Sequence, residues 1–260
     1  ALAQPVYYQA DIKPQDQPEA VDFIIAVDTA LSMSLSDYKI QGQMVSRIAA
    51  SRLLLKKFIN DYSGSRMALV IMDNPPALWL PMTTDKAVMQ DALSRITTFF
   101  GDKLSDLGAT LNLIYKHFKD EPEKVIIVIT DAGVQVGKYS FDSAAKVLAD
   151  NGFSLYIIAV GSAEPVVGTM ANNNLLYQSV NLKRFQQAAI YGKGQLFHAL
   201  DAQSFNKALQ TIEQQHRKPA LLTKPLKLSY AWYPLPLAIA MLLFLYATLI
   251  QAKPDFQDLA

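Results

Sequence analysis

Cysteine is absent from this 260-residue chain, which excludes disulfides, thiolate zinc sites and cysteine nucleophiles and is compatible with either side of a membrane. An excess of charge of one sign is lacking too. The net charge of +1, spread along the sequence, offers no basic face and argues against nucleic acid as a partner. Neither Gly-x-x-x-x-Gly-Lys-Ser/Thr nor Gly-x-Gly-x-x-Gly occurs, and the Gly-x-Ser-x-Gly elbow is missing as well. Ala30 stands two residues after Asp28, so the general acid of a haloacid-dehalogenase-like phosphatase is not there. Gly161-Ser162 follows the fourth apolar run, where a receiver domain needs a lysine. His117, His198 and His216 have no ligand spacing and read as packing or surface residues. No nucleophile with an adjacent base can be assembled, so the chain reads as a non-enzyme.

About half of the residues are apolar, enough for one domain of roughly 200 residues and an appendage. Val21 to Asp28, Arg66 to Met72, Lys124 to Ile129 and Leu155 to Val160 are continuous apolar runs of strand length, the pattern of strands buried on both faces. Asp73-Asn-Pro-Pro76 turns the chain, and Leu78 to Met82 is expected as an antiparallel edge strand. From about Lys39 to Tyr62, Ile40, Met44, Ile48, Leu55 and Ile59 recur at helical spacing, ended by Ser63-Gly64. Thr84-Asp85 caps a helix carrying Val88, Leu93 and Ile96, and further helices are expected over Leu111 to Phe118, Phe141 to Asn151, Leu182 to Tyr191 and Ala202 to His216. Ser162 to Val180 reads as a long connection and Gln195 to Ala199 as a last short strand. This alternation predicts an α/β fold: a doubly wound, mostly parallel sheet with one antiparallel edge strand.

The C-terminus carries no charge between Lys227 and Lys253, and Ala231 to Ile250 is apolar almost throughout. About 20 apolar residues span a bilayer core, so a transmembrane helix is expected at 231–250. Tyr230, Trp232 and Tyr233 stand at its entry like an interfacial belt, with Pro234 and Pro236 in or before the first turn. The expected organisation is a lead-in segment 1–20, a domain 21–217, a juxtamembrane linker 218–230, the helix 231–250 and a tail 251–260. Two signals oppose each other over which side the domain faces. Arg217, Lys218, Lys224 and Lys227 before the span favour the cytoplasm, whereas Ala1-Leu-Ala3-Gln4 resembles a signal-peptidase site and favours the periplasm.

Three segments fall where such a sheet hands over to its helices, the crevice where open α/β sheets bind ligands: Asp28-Thr-Ala-Leu-Ser32-Met33, Gly108-Ala-Thr110 and Thr130-Asp131. Hydroxyls and carboxylates without histidine suit a hard divalent cation such as Mg²⁺, which prefers about six oxygens and keeps several waters. An open position on such an ion would accept a partner's Glu or Asp. The metal would then bridge two acidic surfaces, with no bond chemistry.

These segments resemble the metal-ion-dependent adhesion site of a von Willebrand factor A (VWA) domain. The similarity extends over residues 20 to 250 and is closest to the membrane-anchored VWA proteins of bacterial Bat aerotolerance and methanol-oxidation gene clusters. Besides the first segment, it is carried by Leu80-Pro-Met-Thr-Thr-Asp85, Val125-Ile-Ile-Val-Ile-Thr-Asp131, Leu155-Tyr-Ile-Ile-Ala-Val-Gly161, Phe185 to Phe197 with Gly192-Lys-Gly194, and Asp201-Ala202. By position, the resemblance implies Asp28 and Asp131 holding Mg²⁺ or another divalent ion mainly through water, with Ser32 and Thr110 as direct ligands. It further implies a location at a bacterial inner membrane and partners among a MoxR-type AAA+ ATPase and sister VWA proteins, in assembly or maturation of an envelope or periplasmic enzyme complex.

Two positions depart from the pattern. Ala30 replaces the first serine of the family's Asp-x-Ser-x-Ser loop, and Ala132-Gly133 follows Asp131 where the group has glycine. Thr29 is not expected to substitute, since adjacent side chains diverge; Ser34 could, though nothing in the sequence requires it. Two alternatives to a metal-bearing adhesion module therefore stand: polar groups that hydrogen-bond one another in a permanent structural subunit with a vestigial site, and, more remotely, a phosphoryl-transfer or hydrolytic enzyme on the same scaffold.

Overall fold

The computed structural model describes residues 6–9, 21–62, 66–98, 104–121, 124–131, 136–161, 166–170, 173–177, 182–216, 228–231 and 234–251. Ala1–Gln4, the basic residues at 217–227, Trp232 and Tyr233, Ser63-Gly64 and Ala132-Gly133 lie outside the described residues. Contacts divide the chain into two units, one of Ala1–Pro18 with Ala220–Ala260 and one of Glu19–Pro219.

In the first unit, β1 (Val6–Gln9) pairs antiparallel with β12 (Leu228–Ala231). The segment read as an aperiodic lead-in thus contains a strand. The unit also contains α7 (Pro234–Gln251), whose prolines occupy first-turn positions where no amide donor is needed. The helix begins three residues after the start expected for it. Eighteen residues at 1.5 Å each make it about 27 Å long, against a hydrocarbon core of about 30 Å. Among the described residues no helix is long and apolar enough to cross a membrane.

The second unit is built on a six-stranded sheet. Its strands are β2 (Asp22–Asp28), β5 (Met67–Met72), β6 (Ala77–Thr83), β7 (Lys124–Thr130), β8 (Phe153–Val160) and β11 (Leu196–Ala199), in the order β11-β8-β7-β2-β5-β6. All neighbours run parallel except β6, which pairs antiparallel with β5 at the edge. The fold is therefore α/β, with a mostly parallel sheet and one antiparallel strand.

Strands at the centre of such a sheet are covered on both faces and must be apolar on both. Phe23, Ile25 and Val27 pack with α1 (Arg47–Asp61), α2 (Lys86–Ser94) and α6 (Ala202–His216). Ile24 and Ala26 pack on the other face with α3 (Leu107–Phe118), α4 (Phe141–Asp150) and α5 (Leu182–Tyr191). Crossovers onto both faces bring the carboxyl ends of β2 and β7 together at one crest of the sheet.

Four expectations are corrected in detail. The helix read from Lys39 starts at Arg47, because Tyr38–Ile40 (β3) and Gln43–Val45 (β4) form a hairpin. Its turn is Gln41-Gly42, both at positive φ (50° and 85°), a conformation that a helix cannot contain. Ser46 then caps α1 by accepting from the Ala49 amide. The helix read from Leu111 begins four residues earlier, at Leu107, because Asp106 is its cap. Val88 is exposed, and Met89 faces the core in its place. The connection after β8 contains a second hairpin, β9 (Val166–Met170) with β10 (Asn173–Tyr177).

Candidate functional site

Asp28 ends β2 inside the protein, and every bond it makes is to a neighbouring protein group. The Ala30 amide donates to its Oδ1 at 2.9 Å, the Ser105 hydroxyl donates to the same oxygen, and Thr130 Oγ1 donates to Oδ2 at 2.5 Å. Burial pushes the Asp28 carboxyl up to about 7, the charge of Asp131 adds to the rise, and the three donors pull it back. In the unfolded chain it would titrate near 3.8. The folded state therefore holds this proton more tightly, and the stability it contributes is full below about pH 4 and lost as pH rises toward about 7. Thermal midpoints measured across that window should fall in the wild type and fall less in Asp28→Asn. Parallel profiles would refute the assignment.

Asp131, at the end of β7, has no exposed surface and accepts from Arg47 Nη1 at 2.9 Å. Arg47 is equally buried. Its Nε donates to Asp37 Oδ1 at 2.8 Å and its Nη2 to Asp37 Oδ2, a two-pronged fork on one carboxylate with the third nitrogen on the other. The first turn of α1 is an unfavourable place for a cation, since the helix N-terminus is itself positive. Asp37 and Asp131 offset that cost. The Arg47 amide also donates to Leu35 O at 3.0 Å, which ties the loop before β3 to the helix.

Thr110 is buried on the first turn of α3, with its hydroxyl donated to Asp106 O at 2.7 Å. Asp106 accepts from the Ala109 amide at 2.8 Å and so caps the helix, and the next residue back, Ser105, is the one that reaches Asp28. Ser32 lies half-buried on a 3₁₀ turn, Leu31–Ser34. Ala30 precedes that turn, itself buried, with a methyl group where the adhesion-site loop has a hydroxyl. Thr29 is turned away, since its hydroxyl donates to Asp73 Oδ2 at 3.0 Å on the neighbouring strand end, and Ser34 bonds the Leu31 carbonyl at 2.7 Å.

Asp28 and Asp131 are thus brought together, with Thr110 one helix turn behind the Ser105 contact. Sequence reasoning missed Ser105, Asp37 and Arg47. A signal existed for Arg47. It shares a face with Ser51, Leu54 and Phe58, all buried, and such a position on an amphipathic helix is wrong for an unpaired charge.

The arrangement does not fit a divalent cation. One of the two acids already carries a guanidinium. Two unit positive charges about 4 Å apart repel by about 4 kcal/mol at an effective dielectric near 20, and a dication doubles that.

Residues 23–135 match the model of the von Willebrand factor type A domain. The chain carries a VWA domain. Solved structures similar to it include BatB from Bacteroides thetaiotaomicron (20% identical, TM-score 0.64, covering 75% of this chain and 100% of that one) and an aerotolerance-related membrane protein from Bacteroides fragilis (21%, 0.66, 75% and 100%). Proximal thread matrix protein 1 of the mussel byssus, described with a zinc-occupied MIDAS motif, shares the fold at 15% identity and a TM-score of 0.58, over 78% of this chain and 48% of that one. An uncharacterized protein of Borreliella burgdorferi is 23% identical over 145 residues, 55% of this chain. The chain spans 41% of the length of that curated relative. Asp28 and Asp131, at the carboxyl ends of β2 and β7, both fall within the matched residues.

Proposed function

We propose that the chain is a membrane-anchored protein-interaction module of the Bat type, which presents the crest of its VWA sheet to a partner protein. The observation that carries this reading is the state of the crest itself. Its carboxylates are held by two hydroxyls, one backbone amide and a guanidinium from four separate segments, which gives a fixed, preorganised edge suited to recognition and not to proton transfer. Asp28, Thr110 and Asp131 lie buried beneath that edge and support it, and Ser32 is half-buried on it. The motifs shared with Bat and methanol-oxidation VWA proteins support partners among a MoxR-type AAA+ ATPase and sister VWA proteins, in the maturation of an envelope or periplasmic enzyme complex at a bacterial inner membrane.

The uncharged sequence from Ala231 to Ile250 is 20 residues long, three of them ahead of α7, and supports a bilayer anchor. Within α7 the residues 237–250 are all exposed, as lipid-facing side chains would be. A second reading, a permanent structural subunit, draws support from Ala30 and from the Arg47 bonds.

The test uses the full chain in its native membranes, with a photo-crosslinking residue at exposed Ser36 beside the crest. Light is expected to join it to a MoxR-type ATPase or a second VWA protein, identified by mass spectrometry. Deleting 231–250 should release the chain to the soluble fraction. Absence of any adduct with those two classes would sink the interaction reading. A single stoichiometric neighbour that survives purification would favour the structural subunit.

A further inference from the structure

We propose that the guanidinium of Arg47 is the resident cation of this VWA site, standing in charge for the divalent ion that an adhesion site holds. Four observations lead there. The side chain is wholly buried, with Nη1 on Asp131 and the Nε and Nη2 fork on Asp37, so one fixed positive group binds two acids across the sheet crest. Gly161, at the end of β8, lies against the flat face of the same group, where a Cβ would come within 2.5 Å of the Arg47 Cζ. His198 donates from Nε2 to the Gly161 carbonyl at 3.1 Å and fixes that backbone in place. The site is therefore closed over the guanidinium on the β8 side as well as paired on its edges.

The other adhesion-site positions are bonded within the chain. Ala30 offers no hydroxyl, the Thr110 hydroxyl donates a hydrogen bond to Asp106 O, and Asp28 accepts from Ser105, Thr130 and the Ala30 amide. A guanidinium differs from a metal ion in having no open coordination position. All three of its nitrogens are directed at this chain's own aspartates, so a partner's carboxylate has no ion to complete. Metal-free partner capture follows from this and rests on the interaction reading above; the replacement of the ion by Arg47 stands on the geometry alone.

The test needs no partner. The full chain in mild detergent is titrated with Mg²⁺ and with Mn²⁺ alone, reading the thermal midpoint and Mn²⁺ paramagnetic relaxation, in the wild type, Ala30→Ser and Arg47→Gln. The wild type and Ala30→Ser, which restores the missing hydroxyl and keeps Arg47, are expected to show neither saturable Mn²⁺ binding nor a shift on adding EDTA. Arg47→Gln, which leaves the acids without a cation, is expected to bind Mn²⁺ at least about tenfold more tightly than the wild type and to be stabilised by it.

Saturable binding by the wild type would overturn the proposal. So would its appearance in Ala30→Ser, because the hydroxyl and not the arginine would then be what keeps metal out. A folded Arg47→Gln chain that takes no Mn²⁺ overturns it too; if that variant does not fold, the other two arms decide. Failure to crosslink a partner leaves these titrations untouched, so the two readings fail separately.

Discussion

Arg47→Met is expected to destabilise the VWA domain by about 3–5 kcal/mol, because removing one partner of a buried ion pair strands the others without solvent. Asp131 has no exposed side-chain surface and Asp37 only 7%, so neither carboxylate recovers its lost bond from water without local opening. For a domain of this size the thermal midpoint should fall by roughly 6–20 °C. Asp131→Asn alone should cost less, since Arg47 keeps its two-pronged bond to Asp37. The double variant Arg47→Met/Asp131→Asn should be more stable than Arg47→Met, for it removes the more deeply buried of the stranded charges. Thermal or urea denaturation of the three variants measures this coupling. Strictly additive losses, or a loss under about 1 kcal/mol for Arg47→Met, would show that the ion pair is not what holds the crest.

β2, β5, β7 and β8 were legible because a strand covered on both faces has to be an unbroken apolar run, and helices between such runs leave few topologies. The hairpin of β3 and β4 was not legible. Ile40, Met44 and Ile48 fall four residues apart and imitate a helix, although Met44 is exposed and Gln41-Gly42 makes the turn. The only warning was the Gln-Gly pair.

At the site the same division holds. Asp28, Ser32, Thr110 and Asp131 could be singled out because a loop motif, a helix start and two strand ends are each local in sequence. Their bonding partners are not local. Arg47 lies 84 positions from Asp131, and Ser105 77 positions from Asp28, so only the folded crossovers bring them into contact. Ala30 signalled that the metal question was open; Arg47 supplies the physical answer proposed above.

Gly161→Ala is expected to cost roughly 2–6 kcal/mol, the sum of two independent penalties. Its φ of +112° is a conformation that side-chain-bearing residues rarely adopt. The added methyl would also lie 2.5 Å from both Cζ and Nε of Arg47, and the guanidinium cannot retreat while three of its nitrogens are held by Asp37 and Asp131. The two penalties separate in an Arg47→Ala background. There the methyl meets no guanidinium, so only the backbone share should remain, and Gly161→Ala should cost about 1–3 kcal/mol. A cost that is the same in both backgrounds would mean that Gly161 serves the β8 turn alone and does not close the site over Arg47. A cost that falls with Arg47 removed would tie glycine, arginine and the two aspartates into one packed unit, in which a glycine is required because a guanidinium, and not a hydrated ion, fills the crest.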